Sequence, residues 1–201
     1  MTKAACVKRS GLWSIPARTM TLAWLLVFMA QMATTVYLPS LPTVMRELAM
    51  SRRATELSIS IFVIGAAWPV LFWGAAADRF GRRAPLTLSL LLVIGCSGLL
   101  ALCSNGAQLL ALRALQGVGA GGAAIIARII VRDNWSGDEL ARRLSVLSIA
   151  FITALGGGQF VGGLLSQYSH WQMGFVLMGA PGWALWRGLR RWRWQPAGIA
   201  G

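Results

Sequence analysis

The chain has 201 residues, of which 56% are hydrophobic and only 12% charged, and its mean hydropathy is +0.61. A soluble domain carries about 25% charged residues, so this composition excludes both a disordered chain and an ordinary cytosolic enzyme. The net charge of +13 comes from 19 Lys and Arg against 6 Asp and Glu; the bases sit in short clusters between apolar runs, which points to membrane topology and to no nucleic-acid partner.

Apolar runs follow one another along the whole chain. Thr19 to Leu38, Leu57 to Ala77, Pro85 to Cys103, Ala107 to Val131 and Leu144 to Leu165 are each long enough to cross a hydrocarbon core of about 30 Å at about 1.5 Å per residue. Trp171 to Trp186 is a sixth, weaker run that contains Pro181 and Gly182. Short polar turns, Ser104-Asn105-Gly106 and Ser166 to His170, make neighbouring helices antiparallel. The expected fold is therefore an all-α membrane protein of six transmembrane helices. Residues 1–18 form its N-terminus, 19–186 the transmembrane domain and 187–201 a basic, aromatic tail.

The basic residues assign the two sides. Lys3, Lys8, Arg9 and Arg18 fall on one side with Arg79, Arg82 and Arg83, then Arg132, Arg142 and Arg143, then Arg187, Arg190, Arg191 and Arg193. Only Arg46, Arg52 and Arg53 fall on the other, and Arg113 and Arg128 lie within the fourth run. The rich side is the cytoplasmic one, so both termini are expected in the cytoplasm of a multi-pass protein of the bacterial inner membrane. The first run is too long for a secretory signal and lacks a clear small-residue cleavage site, which makes it an uncleaved helix. Cys6, Cys96 and Cys103 have neither metal-ligand spacing nor a disulfide pattern.

Three features carry chemistry. The first run holds Gln31, Thr34 and Thr35, at i, i+3 and i+4 on one helical face, followed by Tyr37. The second ends in Gly74-Ala-Ala-Ala-Asp78-Arg79-Phe80-Gly81-Arg82-Arg83, which packs a carboxylate, three arginines and a turn glycine into a very short loop. Asp78 can pair with arginine or cap the next helix, where negative charge is favoured. Such a charged loop can latch two helices in one conformation and release them in another. The fourth run carries Arg113, about 9 Å from its outer end by helical rise, with Gln116 on the same face and Gly117 next to it. An arginine inside a spanning helix is costly and is a functional hypothesis by default.

The loop from Gly74 to Arg83 resembles the signature loop of the major facilitator superfamily, and Arg113-x-x-Gln116-Gly117-x-Gly119 is similar to that superfamily's fourth-helix motif. The stretches Gln31 to Pro39 and Ala127-Arg128-x-x-x-Arg132-Asp133 resemble the drug:proton antiporter branch, in its multidrug-resistance-D and bicyclomycin-resistance types. The resemblance covers about Ala23 to Met178, the N-terminal half of such a transporter. It implies secondary efflux of small amphipathic substrates in exchange for protons, with no cofactor, metal or catalytic residue. Gly74, Asp78, Arg79, Gly81, Arg82 and Arg83 would form the conformational latch. Arg113, Gln116 and Gly117 would serve transport and coupling, while Gln31, Thr34, Thr35 and Tyr37 would face the cavity.

The chain also departs from that pattern. In Ala154-Leu-Gly156-Gly157-Gly158-Gln159-Phe160-Val161-Gly162-Gly163, Gln159 stands where the antiporter motif has proline, although Gly158, Gly162 and Gly163 still allow close helix packing. Asp and Glu occur only at Glu47, Glu56, Asp78, Asp133, Asp138 and Glu139, none in the middle of an apolar run, so Glu56 is the expected partner for Arg113. His170 falls in an outer turn. The chain stops after six segments and ends in a tail that is either an interfacial, lipid-bound helix or an out-of-frame sequence. A truncated transporter is the expected reading, inactive alone, with membrane lipid around it. Its second wall would come from another copy or from a separate C-terminal half. Solute uptake on the same fold and a non-transporting vestige are the alternatives. A membrane enzyme is not expected, because no helix offers a mid-membrane Asp, Glu or His.

Overall fold

The computed structural model describes residues 14–168 and 171–191. Helix α1 spans Ser14–Thr35 and leads through one 3₁₀ turn at Leu38–Ser40 into the short α2, Leu41–Glu47. Pro39 and Pro42 sit at the starts of these two pieces, where a missing N–H costs nothing. The second apolar run is two helices, α3 (Arg52–Ala67) and α4 (Val70–Phe80). The break falls at Trp68-Pro69, since a proline ring removes a backbone hydrogen bond and crowds the preceding turn. Helices α5 (Arg83–Ala101), α6 (Gly106–Asn134), α7 (Gly137–Tyr168) and α8 (Gln172–Arg191) complete the chain order.

Among the described residues, five stretches are long and apolar enough to cross a membrane: Thr19–Glu47, Arg52–Phe80, Arg83–Ala101, Gly106–Asn134 and Gly137–Gln167. Helix α8 carries the sixth apolar run, with Pro181 inside it. It packs on α5 and α1, and it runs past the boundary expected at residue 186. Helix α1 likewise begins ahead of the boundary expected at residue 19. The tail from Trp192 onward, Ser169, His170 and Cys6 lie outside the described residues.

Helix α6 is the hub, packing on α3, α5, α1 and α4. Its glycines make this possible. A Cβ at Gly117 would collide with the Phe62 carbonyl of α3, one at Gly121 with the Ala66 carbonyl, and one at Gly119 with Ser89 of α5. In lipid no hydrophobic force draws helices together, so such close backbone approach supplies the contact energy. Helix α7 leans on α1 in the same manner: a Cβ at Gly158 would meet Thr35 and one at Gly162 the Val36 carbonyl. Gly163, grouped with these on sequence grounds, lies about 100° around α7 from Gly162 and has open space beside it.

Among the described residues, the two largest of four buried apolar clusters lie toward opposite ends of the bundle. One, holding Leu26, Leu86, Leu90, Ile126, Ile130 and Leu147, lies toward the end that carries the basic loops. The other, holding Val44, Leu100, Leu109, Trp171 and Phe175, lies toward the opposite end. Cys96 and Cys103 are buried as free thiols. Large apolar side chains also point outward, among them Trp68, Leu71, Phe72 and Phe160, as suits surfaces bathed in lipid or covered by another membrane segment.

Candidate functional site

The site is built around Arg113. Its side chain is 1% exposed, although it sits on a helix that would cross the bilayer. The guanidinium lies 3.7 Å from the centre of the Tyr37 ring, 4.9 Å from that of Phe175 and 5.6 Å from that of Phe62. Three aromatic faces from α8, α3 and the turn after α1 thus supply the negative quadrupole that a carboxylate would otherwise supply. Nη1 donates to the Ala33 carbonyl at 3.0 Å and to Gln116 Oε1 at 3.1 Å. Nε and Nη2 have no hydrogen-bond partner among the described residues.

A polar chain continues through the bundle. Gln116 Nε2 donates to Ser97 Oγ at 2.9 Å, and Ser97 Oγ donates to the Val93 carbonyl at 2.6 Å, which ties α6 to α5. Across the site the Tyr37 hydroxyl and Ser58 Oγ are 3.0 Å apart, and Ser58 donates to the Thr55 carbonyl at 2.6 Å. At the outer edge Trp171 Nε1 donates to Glu47 Oε2 at 2.6 Å and stacks edge-on against Phe175. Glu56, expected beside Arg113, pairs with Arg52 at 3.0 Å on the exposed face of α3. It is one helical turn from Arg52, and forming that local pair leaves it pointing to solvent rather than into the bundle.

The residues expected on one face of α1 divide. Gln31 and Thr34 line an open groove of about 430 Å³ between α1, α3 and α6. Thr35 is 1% exposed and turns toward α7, where its hydroxyl donates to the Ala154 carbonyl at 3.2 Å and to the Gln31 carbonyl at 3.3 Å. Tyr37 lies past the end of α1 and covers Arg113 instead of lining the groove. Gly117 is spent on the α3 contact.

The loop between α4 and α5 centres on Arg82. Its Nη1 donates to Asp78 Oδ1 at 2.7 Å and to the Ala77 carbonyl at 2.6 Å, closing the turn locally. Its Nε donates to Asp133 Oδ2 at 2.8 Å, which carries the tie across to the end of α6. The hydrogen bond from Asp133 holds the Arg82 guanidinium above its usual range, against the opposing effect of desolvation. Gly81 has φ of +77°, a conformation that L side chains rarely adopt. Arg79 lies over the Phe80 ring at 5.5 Å, Gly74 has open space around it, and Arg83 starts α5.

Ser58, Ser97, Phe62, Trp171 and Phe175 are members of these sites that sequence reasoning missed, and it met Asp133 only within a family-like stretch and not as the partner of Arg82. Asp133 had one available signal. A carboxylate in the last turn of a helix opposes the helix dipole, so a cationic partner has to be close. Asp78 is 72% exposed whereas Arg82 and Asp133 are 21% and 27% exposed, so the two carboxylates are not equivalent. Asp133→Asn is expected to lower thermal stability in detergent by about 1–2 kcal/mol, and Asp78→Asn by less than about 0.5 kcal/mol. Equal effects of the two substitutions would mean that the cross-helix tie adds nothing to the local one.

Residues 23–194 match the family model of the Major Facilitator Superfamily. The chain is 34% identical over 146 residues to a Bacillus subtilis protein named as an uncharacterized MFS-type transporter, YdgK, covering 71% of this chain and 36% of that one. It is 31% identical to multidrug resistance protein MdtL of Salmonella typhimurium, over 82% of this chain and 42% of that one. To multidrug resistance protein D of Escherichia coli it is 26% identical, over 77% and 39%. The chain therefore spans about two-fifths of the length of these relatives. The inward-open xylose transporter XylE of Escherichia coli superposes with a TM-score of 0.71 at 15% identity, over 90% of this chain and 48% of that one, a likeness of fold.

Proposed function

This chain belongs to the major facilitator superfamily, and from that premise we propose that it is the N-terminal wall of a membrane transporter that expels small amphipathic molecules in exchange for protons. The observation that carries this reading is Arg113, a fully buried guanidinium in a membrane-crossing helix, held by aromatic faces and two acceptors with donors to spare. A group so costly to bury is retained for work rather than for stability. Its spare donors and its Gln116–Ser97 chain suit a role in coupling substrate movement to proton movement. The groove bearing Gln31 and Thr34 would be the substrate path, and the Asp78–Arg82–Asp133 tie would hold the basic end of the bundle closed in one state.

The basic loops at that end would face the cytoplasm, which puts the Asp78–Arg82–Asp133 tie on the inner side of a bacterial inner membrane. The names of the multidrug-resistance relatives favour efflux over uptake. The family's alternating access rocks two halves against each other around a midplane site. A single half offers the groove no opposing surface.

The decisive experiment is drug susceptibility in an efflux-deficient bacterium. These 201 residues alone are expected to leave susceptibility unchanged. Co-expressed with the second half of the Escherichia coli multidrug resistance protein D, they are expected to raise resistance, and a protonophore should remove the effect. Resistance from the chain alone that disappears on Arg113→Ala would replace the two-half arrangement with a homodimer.

A further inference from the structure

The fourth run holds a second arginine, and nothing above gives it a task. Arg128 is exposed on α6, six residues or about 9 Å by helical rise from Asn134, the last residue of that helix. It lines two grooves at once: the one of about 430 Å³ that holds Gln31 and Thr34, and a second of about 570 Å³ along α7 that holds Ser148. Phe151 lines both as well, so the two spaces meet at an arginine and an aromatic ring.

Neither groove is lined by an acid. The only hydrogen bond of Arg128 among the described residues is a long one, 3.5 Å, from Nη1 to the carbonyl of Ala124 in its own helix. The carboxylates of the chain are committed elsewhere: Glu47 to Trp171, Glu56 to Arg52, Asp78 and Asp133 to Arg82, and Glu139 to Arg143. Asp138, in the first turn of α7, lines neither groove. A cation thus stands at the junction of two apolar-walled grooves without a counter-ion among the described residues. A cationic ligand lying there would be repelled with nothing to offset the repulsion, whereas an anionic one would supply the missing charge. The combined size is that of ordinary small-molecule sites, and the exposed Val63 and Phe151 with the small residues of α6 offer an apolar surface for a ligand's body.

We propose that this groove selects small amphipathic anions, a carboxylate, sulfonate or phosphate meeting Arg128 while an aromatic or alkyl body lies along Val63 and Phe151. The proposal deepens the transport reading above and rests on the groove being the substrate path. Lipid headgroups carry the same anionic chemistry, and an arginine this close to a helix end can also reach them, so the test separates the two sources.

The purified chain in phosphatidylcholine nanodiscs is titrated with tetraphenylborate and with tetraphenylphosphonium, ions of the same shape and opposite charge, with binding to empty discs subtracted. Tetraphenylborate is expected to bind saturably and more tightly than its cationic counterpart. Arg128→Gln should weaken it about tenfold and erase the preference, while Arg128→Lys retains most of it. Arg132→Gln, one helical turn beyond the groove, should change nothing; circular dichroism checks that each variant is folded. The same Arg128 dependence in phosphatidylglycerol discs assigns the site to a free anion. Loss of that dependence there shows that headgroups hold Arg128 and overturns the proposal. Equal binding of the two ions, unaffected by Arg128→Gln, overturns the charge selection but leaves the groove as a path for amphipaths. Absence of binding by either ion removes the groove reading as well.

Discussion

Arg113→Met is expected to abolish transport, measured as drug resistance with a second half present, while leaving the thermal unfolding of the chain in detergent within a few degrees of the wild type. Burying an ion costs several kcal/mol. Here that cost is offset by a cation–π contact with Tyr37 at 3.7 Å and by two charge-assisted hydrogen bonds, but Nε and Nη2 remain without partners among the described residues. Methionine fills much of the space with no charge to desolvate and adapts to the aromatic faces of Tyr37 and Phe175. Its gain is reduced by orphaning Gln116 Oε1, at about 1–3 kcal/mol. The two effects nearly cancel, so stability is the insensitive readout and transport the sensitive one. A large fall in unfolding temperature with transport kept would make Arg113 a structural pin. Arg113→Lys keeps the charge but loses the planar fork that reaches Ala33 and Gln116 together, and is expected to recover little activity.

Gly117→Val is expected to produce the largest loss of stability. The new Cβ would run into the Phe62 carbonyl of α3 and come within 3.2 Å of the Ala66 nitrogen, and both of those are backbone atoms that cannot rotate away. Helices α3 and α6 must then separate along a seam where Gly121 makes the same kind of approach to Ala66. Overpacking of this kind costs about 1–3 kcal/mol, and separation of the seam would add the lost contacts. Phe62 lies over Arg113, so the displacement also reaches the site. Gly163→Ala is the matched control: a Cβ there meets nothing within 4 Å, so replacing a helical glycine should be neutral or stabilising by up to about 1 kcal/mol. Thermal unfolding of both variants in one detergent distinguishes them. A loss from Gly163→Ala as large as that from Gly117→Val would mean that close backbone approach is not what Gly117 provides.

Much of this protein follows from local chemistry. The apolar runs and their order depend on the cost of an unpaired backbone group in lipid, which a long helix avoids by pairing every such group within one segment. The spacing of Asp78 and Arg82 brings them together one turn apart, as it does Arg113 and Gln116, because those pairs share a helix and need no other element to meet. The groove positions of Gln31 and Thr34 lie on one face for the same reason.

Tertiary packing decided the rest. Helical periodicity says which residues share a face but not what that face meets. Thr35 lies within about 40° of arc of Gln31 on α1, yet the glycine at 158 lets α7 close over it, so one is a groove residue and the other is buried. Tyr37 leaves the helix at the turn after α1 and so escapes the periodicity of α1 altogether, which is how it comes to cover Arg113. Ser97, Phe175 and Asp133 come from 16, 62 and 51 residues away from the arginines they serve, directly or through Gln116. No spacing rule along a single helix can join partners so distant; only the mutual approach of α5, α6 and α8 brings them to one place.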